Sequence, residues 1–433
     1  MSAPLSWNRI PKVASDKVSS LAHRIKKLPS ELPCPFLAYG NGRSYGDVCL
    51  SEEGTLLLTR GLSRFIQFCP ATGVLKCEAG TTLAEVLQLV VPQGWFLPST
   101  PGTRLATVGG AVANDVHGKN HHAEGSFGHH IKSLELLRSD KGSIICSMSE
   151  NSDYFKATIG GLGLTGLIQW VELQLMPIRN PWMWVQSQRF KNLDEFWALN
   201  HSAEQSWPYT VSWIDCMATG ASKGRGILLA GQHAASQNEL PKFEEKAKKI
   251  PFDPPFSLVN KASLKAFNTL YYNQPVNPEG KLTHYIPYFY PLDAISNWNR
   301  IYGRKGFFQY QCVIPPESSK DATNALLETI AKRKDGSFLA VLKTFGDKPS
   351  LGMMSFSRPG ITLALDFPNR GERTLKLLND LDSIVSEAGG ALYPAKDARM
   401  PSHLFKSGFP NWELFSRYID PSFSSRFWKR VTS

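Results

Sequence analysis

An α+β protein of two packed domains is predicted by three observations. At 433 residues the chain exceeds the size at which one hydrophobic core stops growing. Its first 175 or so residues read mostly as short strands between glycine turns, with few helices. Beyond Pro177 and Pro181 the texture changes to longer helical stretches and aromatic-rich strands.

The elements follow in order. Leu56–Leu58, Phe65–Phe68 and, after a Thr72-Gly73 turn, Val74–Cys77 read as strands. Thr82 and Glu85 form a capping-box pattern, and Leu83, Val86, Leu87 and Val90 repeat at helical spacing until Pro92. Leu134–Leu137, an Asp140-Lys141-Gly142 turn and Ile144–Cys146 make a hairpin, and Leu167–Leu175 is a strand. Tyr285–Tyr290 reads as an aromatic strand. A late helix spans 373 to 388, with Leu377, Leu378, Leu381, Ile384 and Val385 on one face and Gly389-Gly390 as its stop.

Composition narrows the function. The formal charge is +11, with 42% hydrophobic residues and no low-complexity block, so the whole chain should fold. The basic excess favours an anionic partner. Lys26-Lys27 and Lys246 to Lys249 are the only tight groups, so no nucleic-acid stripe is expected. No apolar run reaches the length of a membrane span, which leaves peripheral association at the inner membrane open. The start, Met1-Ser-Ala-Pro-Leu-Ser-Trp7, has no apolar signal stretch, so a cytoplasmic location is the expectation. Seven cysteines without a C-x-x-C pair suggest neither a disulfide framework nor structural zinc.

Three glycine-rich stretches carry the chemistry: Gly40-Asn-Gly-Arg-Ser-Tyr-Gly46, Pro101-Gly-Thr-Arg-Leu-Ala-Thr-Val-Gly-Gly110 and Gly160-Gly-Leu-Gly-Leu-Thr-Gly166. Glycine lets backbone amides approach phosphate oxygens closely, so three such stretches among strands point to one shared anion, such as a diphosphate. Gly161-x-Gly163-x-x-Gly166 formally matches the dinucleotide fingerprint but leads into a strand where that fingerprint requires a helix. A Rossmann site is therefore excluded. His117, His121, His122, His129 and His130 crowd into fourteen residues. Adjacent pairs cannot all face one ion, so a polar loop facing a cofactor is expected and no metal.

Gly42-Arg-Ser-Tyr-Gly-Asp47, Pro101-Gly-Thr-Arg104 with Thr107-Val-Gly-Gly110, His117-Gly-Lys-Asn-His-His122, Gly125-Ser-Phe-Gly128 and Leu164-Thr-Gly166 together resemble the flavoproteins typified by vanillyl-alcohol oxidase. Within that family they are most similar to the decaprenylphosphoryl-ribose 2'-oxidase branch, which serves arabinose biosynthesis for the cell envelope. The likeness extends through Ser212–Asp215, Gln309-Tyr-Gln311, Leu342-Lys343-x-Phe345-Gly346 and Tyr393-x-Ala-Lys396-Asp397. It implies an FAD-binding PCMH-type domain over residues 1–178, a substrate domain with an antiparallel sheet over 179–390, and a C-terminal segment, 391–433, returning to the first. It also implies FAD against Gly40, Asn41, Gly42, Arg43, Ser44, Tyr45, Gly46, Pro101, Gly102, Thr103, Arg104, Thr107, Val108, Gly109 and Gly110. Asn114, His117, Gly118, Asn120, His121, Gly125, Ile168 and Tyr393 complete the implied cofactor contacts. Many relatives tether FAD through a histidine where this chain has Gly46, so the cofactor is expected to be noncovalent.

Oxidising an alcohol needs a base beside the reacting hydroxyl. Lys396, His117 and Tyr45 are the candidates, with Lys396 equally suited to hold a substrate phosphate or steady the reduced flavin. Trp213, Gln309, Gln311, Lys343 and Lys396 are candidate substrate contacts, although Gln-Tyr-Gln also suits a half-exposed strand and Trp213 also suits a core. Mycobacterial members carry a cysteine where this chain has Ala364. The expected activity is oxidation of the 2'-hydroxyl of a polyprenylphosphoryl pentose to a ketone, with an NAD-dependent short-chain reductase completing an epimerisation. The alternative is an alditol or aldonolactone oxidase that uses O2 on a free sugar.

Overall fold

The computed structural model describes residues 4–13, 17–235 and 240–433. Its first part carries two sheets. Val18–Ser20, Thr55–Leu58 and Phe36–Tyr39 form a small parallel sheet with Thr55–Leu58 in the centre. An antiparallel sheet of five strands runs Phe65–Cys69, Val74–Glu78, Leu167–Gln174, Ile131–Arg138 and Gly142–Ser147 in spatial order. The capping box forms as the sequence signals it: Glu85 N donates to Thr82 Oγ1 (3.2 Å) and Thr82 N to Glu85 Oε2 (2.7 Å), opening the helix Leu83–Val90. Its apolar stripe is buried against the five-stranded sheet, in a core that includes Leu75, Cys77, Leu134 and Val171.

The second part is an eight-stranded antiparallel sheet. Four of its strands matter here. Tyr209–Ile214 lies beside Ala340–Phe345, then Gly360–Pro368, then Phe307–Ile314. Alternation decides what each face meets. Phe308, Tyr310, Cys312, Leu342, Leu363 and Leu365 point to the side covered by the helices Leu193–Ser206, Ser319–Arg333 and Glu372–Glu387 and enter the largest core. Gln309, Gln311, Val341, Lys343, Thr362, Ala364 and Asp366 are left on the opposite face. That face looks toward the first part of the chain. Fully burying one of the core side chains is worth roughly 1.5–3 kcal/mol, so a one-residue slip that reversed the faces would be strongly disfavoured.

Tyr285–Tyr290 departs from expectation: Tyr285–Phe289 is a short helix capped by His284. Four of its five residues are buried, which blurs the periodicity that separates helix from strand. Pro287 is tolerated because it lies in the first turn, where its missing N–H would have no intrahelical partner. The C-terminal residues fold back on the first part of the chain. Ser139 donates to Asp420 through both N (2.7 Å) and Oγ (2.6 Å), and Phe36 N donates to Ser422 O (2.6 Å). Arg430 bridges Asp47 (2.7 Å) and Asp397 (2.9 Å). Among the described residues no helix is long and apolar enough to cross a membrane, and the seven cysteines are free thiols.

Candidate active site

A cavity of about 480 Å³ is lined by residues of all three of these sheets and of the loops between them. Its volume suits a small-molecule ligand, for which ~300–1,000 Å³ is usual. At one end the wall is backbone. The loop after Phe36–Tyr39 contributes Gly40, Asn41, Gly42, Arg43, Ser44 and Tyr45, and the 101–110 stretch contributes Pro101, Gly102, Thr103, Thr107, Gly109 and Gly110. Asn41 Nδ2 donates to Leu105 O (2.7 Å), tying the two loops together. Asp293 holds the second loop from the other side, accepting from Thr103 Oγ1 (2.7 Å) and Arg104 N (2.9 Å). The third glycine stretch also reaches the cavity, through Leu162, Gly163 and Gly166, as does Ile168 on the strand that follows.

This end fits a diphosphate-bearing cofactor. The amides of residues 41–44 and 102–103 donate to no other described residue, and all six residues line the cavity. Buried Arg43 Nε and Asn114 Oδ1 also lack partners among the described residues, and an unsatisfied buried polar atom costs about 1–3 kcal/mol unless a ligand meets it. Gly102 and Gly163 have no atom within 4 Å of a built Cβ, so the backbone stays open at both. At Gly46, φ is +69° and a Cβ would collide with the Asp397 carbonyl, so this loop packs backbone to backbone on the C-terminal segment.

The other end is side-chain chemistry. Gln309, Gln311, Val341, Lys343 and Ala364 face the cavity from three adjacent strands, and Tyr393 and Lys396 reach it from the segment that follows Ala391–Leu392. Lys396 Nζ lies 4.0 Å from the centroid of the Tyr45 ring, a contact worth about 2 kcal/mol when desolvated. Tyr45 N donates to Ala395 O (2.9 Å), so backbone holds the two segments in register. Burial pushes the Lys396 ammonium below the ordinary lysine range, and the Asp366 carboxylate opposes that shift. Asp366 is itself pushed up by burial, against Lys396 and a hydrogen bond from Gln309 Nε2 (2.8 Å). Its Oδ2 is buried without a partner among the described residues.

His117 lies beside this pair. Gln311 Nε2 donates to Thr362 Oγ1 (3.2 Å) and to His117 Nε2 (3.0 Å). That places the His117 proton on Nδ1, which has no partner among the described residues. Burial first, then Lys343, His121 and Lys396, keep the imidazole neutral. Lys343 Nζ donates to Gly118 O (2.5 Å), and burial together with Lys119 lowers its pKa to about 7. Lys119 is also brought to about 7 by burial, its ammonium 4.2 Å from the Tyr288 ring.

Several expected contacts lie behind the lining. Gly46 stacks on Asp397, Arg104 pairs with Glu245, and Val108 is buried in the second core. Gly118 accepts from Lys343, Asn120 Nδ2 donates to Pro98 O (2.6 Å), His121 packs on Phe345, and Gly125 sits against the His129 ring. Trp213 is on the cavity face, opposite Val341, but its ring packs on Tyr271 and Nε1 donates to Phe338 O (3.0 Å). The other histidines of the run also have structural partners: His122 Nε2 is 2.9 Å from Trp207 O and His129 Nε2 2.9 Å from Pro349 O. Among the described residues no three His, Cys, Asp or Glu side chains form a metal-sized group. Sequence reasoning missed Asp366, although a lone acid in the apolar run Leu363–Pro368 is a signal, and it missed the lining segment Leu292 to Trp298, which has none.

Comparison with known proteins places the chain in a family. The FAD binding domain family matches residues 22–147. The chain is 31% identical to the decaprenylphosphoryl-beta-D-ribose oxidase of Mycolicibacterium smegmatis, covering 96% of this chain and 94% of that protein. It is also 31% identical to a Streptomyces coelicolor protein named for the mprA 5' region, over 79% of this chain and 96% of that one. Human delta(24)-sterol reductase is 30% identical over 24% of this chain and 20% of its own length. With a relative of this kind over nearly its whole length, the chain belongs to the FAD-binding PCMH-type oxidoreductases and is an FAD-dependent enzyme of that family.

Proposed function

We propose that the enzyme oxidises the 2'-hydroxyl of a polyprenylphosphoryl pentose to a ketone, the first half of an epimerisation that yields an arabinose donor for the cell envelope. FAD, held without a covalent bond by the loops around Gly42 and Gly102, supplies the hydride acceptor. The observation that carries the reading is the buried Lys396 held over the Tyr45 ring beside Asp366 on the cavity face of the sheet. Burial lowers its proton affinity, so Lys396 can take the hydroxyl proton as hydride leaves the carbinol carbon. Tyr45 serves as the platform, because burial raises its phenol pKa and keeps it protonated. Neutral His117 donates through Nδ1 to a sugar oxygen, and Gln309 and Gln311 fix the orientation of the ring. Lys343 meets the phosphate as a compact charge.

Anaerobic mixing of the yellow holoenzyme with a short-chain polyprenylphosphoryl ribose tests the reading. Loss of the oxidised flavin absorbance in a single turnover is expected. Bleaching by free alditols or aldonolactones, with peroxide released in air and no response to the lipid-linked sugar, would overturn it. Flavin that precipitates with acid-denatured protein would refute the noncovalent linkage.

A further inference from the structure

The segment from 240 to 270 has a surface that the chemistry above does not use. Among the described residues its side chains include the most exposed large hydrophobics: Leu270 at 74%, Phe256 at 70% and Phe252 at 68%. Leu240, Phe243, Leu258 and Phe267 are exposed as well. Large apolar side chains exposed this strongly and gathered in one segment of a folded enzyme point to an interaction site.

Its charge tells which kind. Lys242, Lys246, Lys248, Lys249, Lys261 and Lys265 are all exposed, and none has an acidic partner among the described residues. Two of the three acids in the segment are engaged elsewhere, Glu245 with Arg104 and Asp253 with Arg9 and Arg300. The segment therefore exposes both phenylalanine and leucine side chains and lysines that pair with no acid among the described residues. The centres of protein interfaces are depleted in lysine, whereas aromatic and aliphatic residues with lysines around them are the pattern of an interfacial membrane contact.

The position of the patch gives it a purpose. Lys248–Lys249 pairs in parallel with Ile295–Ser296, and Ile295 and Ser296 line the active-site cavity. Leu258 N donates to Ile301 O (2.8 Å), and Val259 and Leu264 pack in the same cluster as Trp298 and Tyr45. The exposed surface and the cavity wall are thus two sides of one layer. We propose that the 240–270 surface docks on an anionic lipid bilayer, Phe252, Phe256 and Leu270 entering the interface and the lysines meeting the headgroups, so that a lipid-linked substrate is taken up without crossing water. The proposal rests on the substrate reading above for its purpose, though not for its physics.

Flotation of the purified holoenzyme with vesicles of phosphatidylcholine alone or mixed with phosphatidylglycerol tests it. Binding to the mixed vesicles is expected, weakened by salt and reduced about tenfold or more by Phe252→Ser/Phe256→Ser and by Lys246→Glu/Lys248→Glu/Lys249→Glu. Both variants should keep the flavin spectrum and the rate on a short-chain water-soluble substrate. No flotation on mixed vesicles, or flotation untouched by both variants, overturns the proposal. Dimerisation abolished by the phenylalanine pair, in place of vesicle binding, assigns the surface to a second copy and overturns it equally. A holoenzyme that docks yet is not reduced by a polyprenylphosphoryl pentose keeps the membrane surface and loses the substrate assignment.

Discussion

The two ends of the cavity are built from different parts of the chain. The end around Gly42 and Gly102 is made of main chain, where the amides of residues 41–44 and 102–103 have no partner among the described residues and a Cβ at Gly40 or Gly42 would run into Thr107 or Tyr39. The end around Lys396 is made of side chains: strand register places Gln309, Lys343 and Asp366 on one face, and His117 and Lys396 come to it from the segments packed against that face. The cradle can be damaged only by moving backbone, which should release the cofactor. The side-chain end can be altered one group at a time with the cofactor in place. A substitution that fails this division would show that the two ends are not separable.

The largest effect is expected at the seam between them. Gly46→Ala carries about 1–2 kcal/mol of left-handed strain, and its Cβ would also displace the Asp397 carbonyl that stacks there. The protein should purify with a low flavin-to-protein absorbance ratio and a depressed Tm. Normal values for both would mean that the seam is compliant. Lys396→Met is the complementary case. Flavin content should be unchanged, while the rate of flavin reduction in stopped flow falls on the order of 10²-fold or more. A Lys396→Met enzyme that reduces its flavin at the parental rate would remove the lysine from proton transfer.

A smaller effect, with a distinctive pH signature, is expected at Lys343. Its pKa is lowered to about 7 by burial and by Lys119, so the ammonium is present below that pH and lost above it. Affinity for a phosphate-bearing substrate should therefore weaken as pH rises through about 7. A charge-assisted hydrogen bond is worth about 1.5–3 kcal/mol, so KM should increase roughly tenfold or more across the transition. Lys343→Arg keeps its charge and should flatten the profile. A parental profile that is flat over the same range would move the phosphate away from Lys343.

The same division explains what the sequence disclosed. Main-chain sites leave a compositional trace, because a loop that must bring amides near an anion needs glycine; Gly40–Gly46 and Pro101–Gly110 were legible on that ground. The Thr82–Glu85 capping box was legible because its partners are three residues apart, and Gln309-Tyr-Gln311 was legible as strand because its polar residues recur at every second position. Asp366 was not, because its partnership with Gln309 and Lys396 exists only after a long-range register forms. The Leu292 to Trp298 wall left no trace, since loop residues that line a cavity need no particular periodicity. Tyr285–Phe289 was misread for a third reason, since the burial of four of its five residues blurs the pattern that distinguishes helix from strand.

Trp213 tests the limits of reading a site from resemblance. Its place opposite Val341 puts it on the cavity face of the sheet, and a contact inferred from strand order alone would count it among the cavity residues. Its ring instead leans on Tyr271, 4.6 Å between centroids, and its indole N–H is satisfied by the Phe338 carbonyl. Trp213→Phe keeps the ring contact and gives up one hydrogen bond. The expected cost is about 1 kcal/mol of stability, with kcat and KM for the lipid-linked sugar within about twofold of the parent, a change of only ~0.4 kcal/mol. A tenfold rise in KM with an unchanged melting temperature would mean that the indole swings into the cavity when substrate enters. The side-chain end would then extend one strand further than the arrangement of Gln309, Gln311 and Lys343 alone defines.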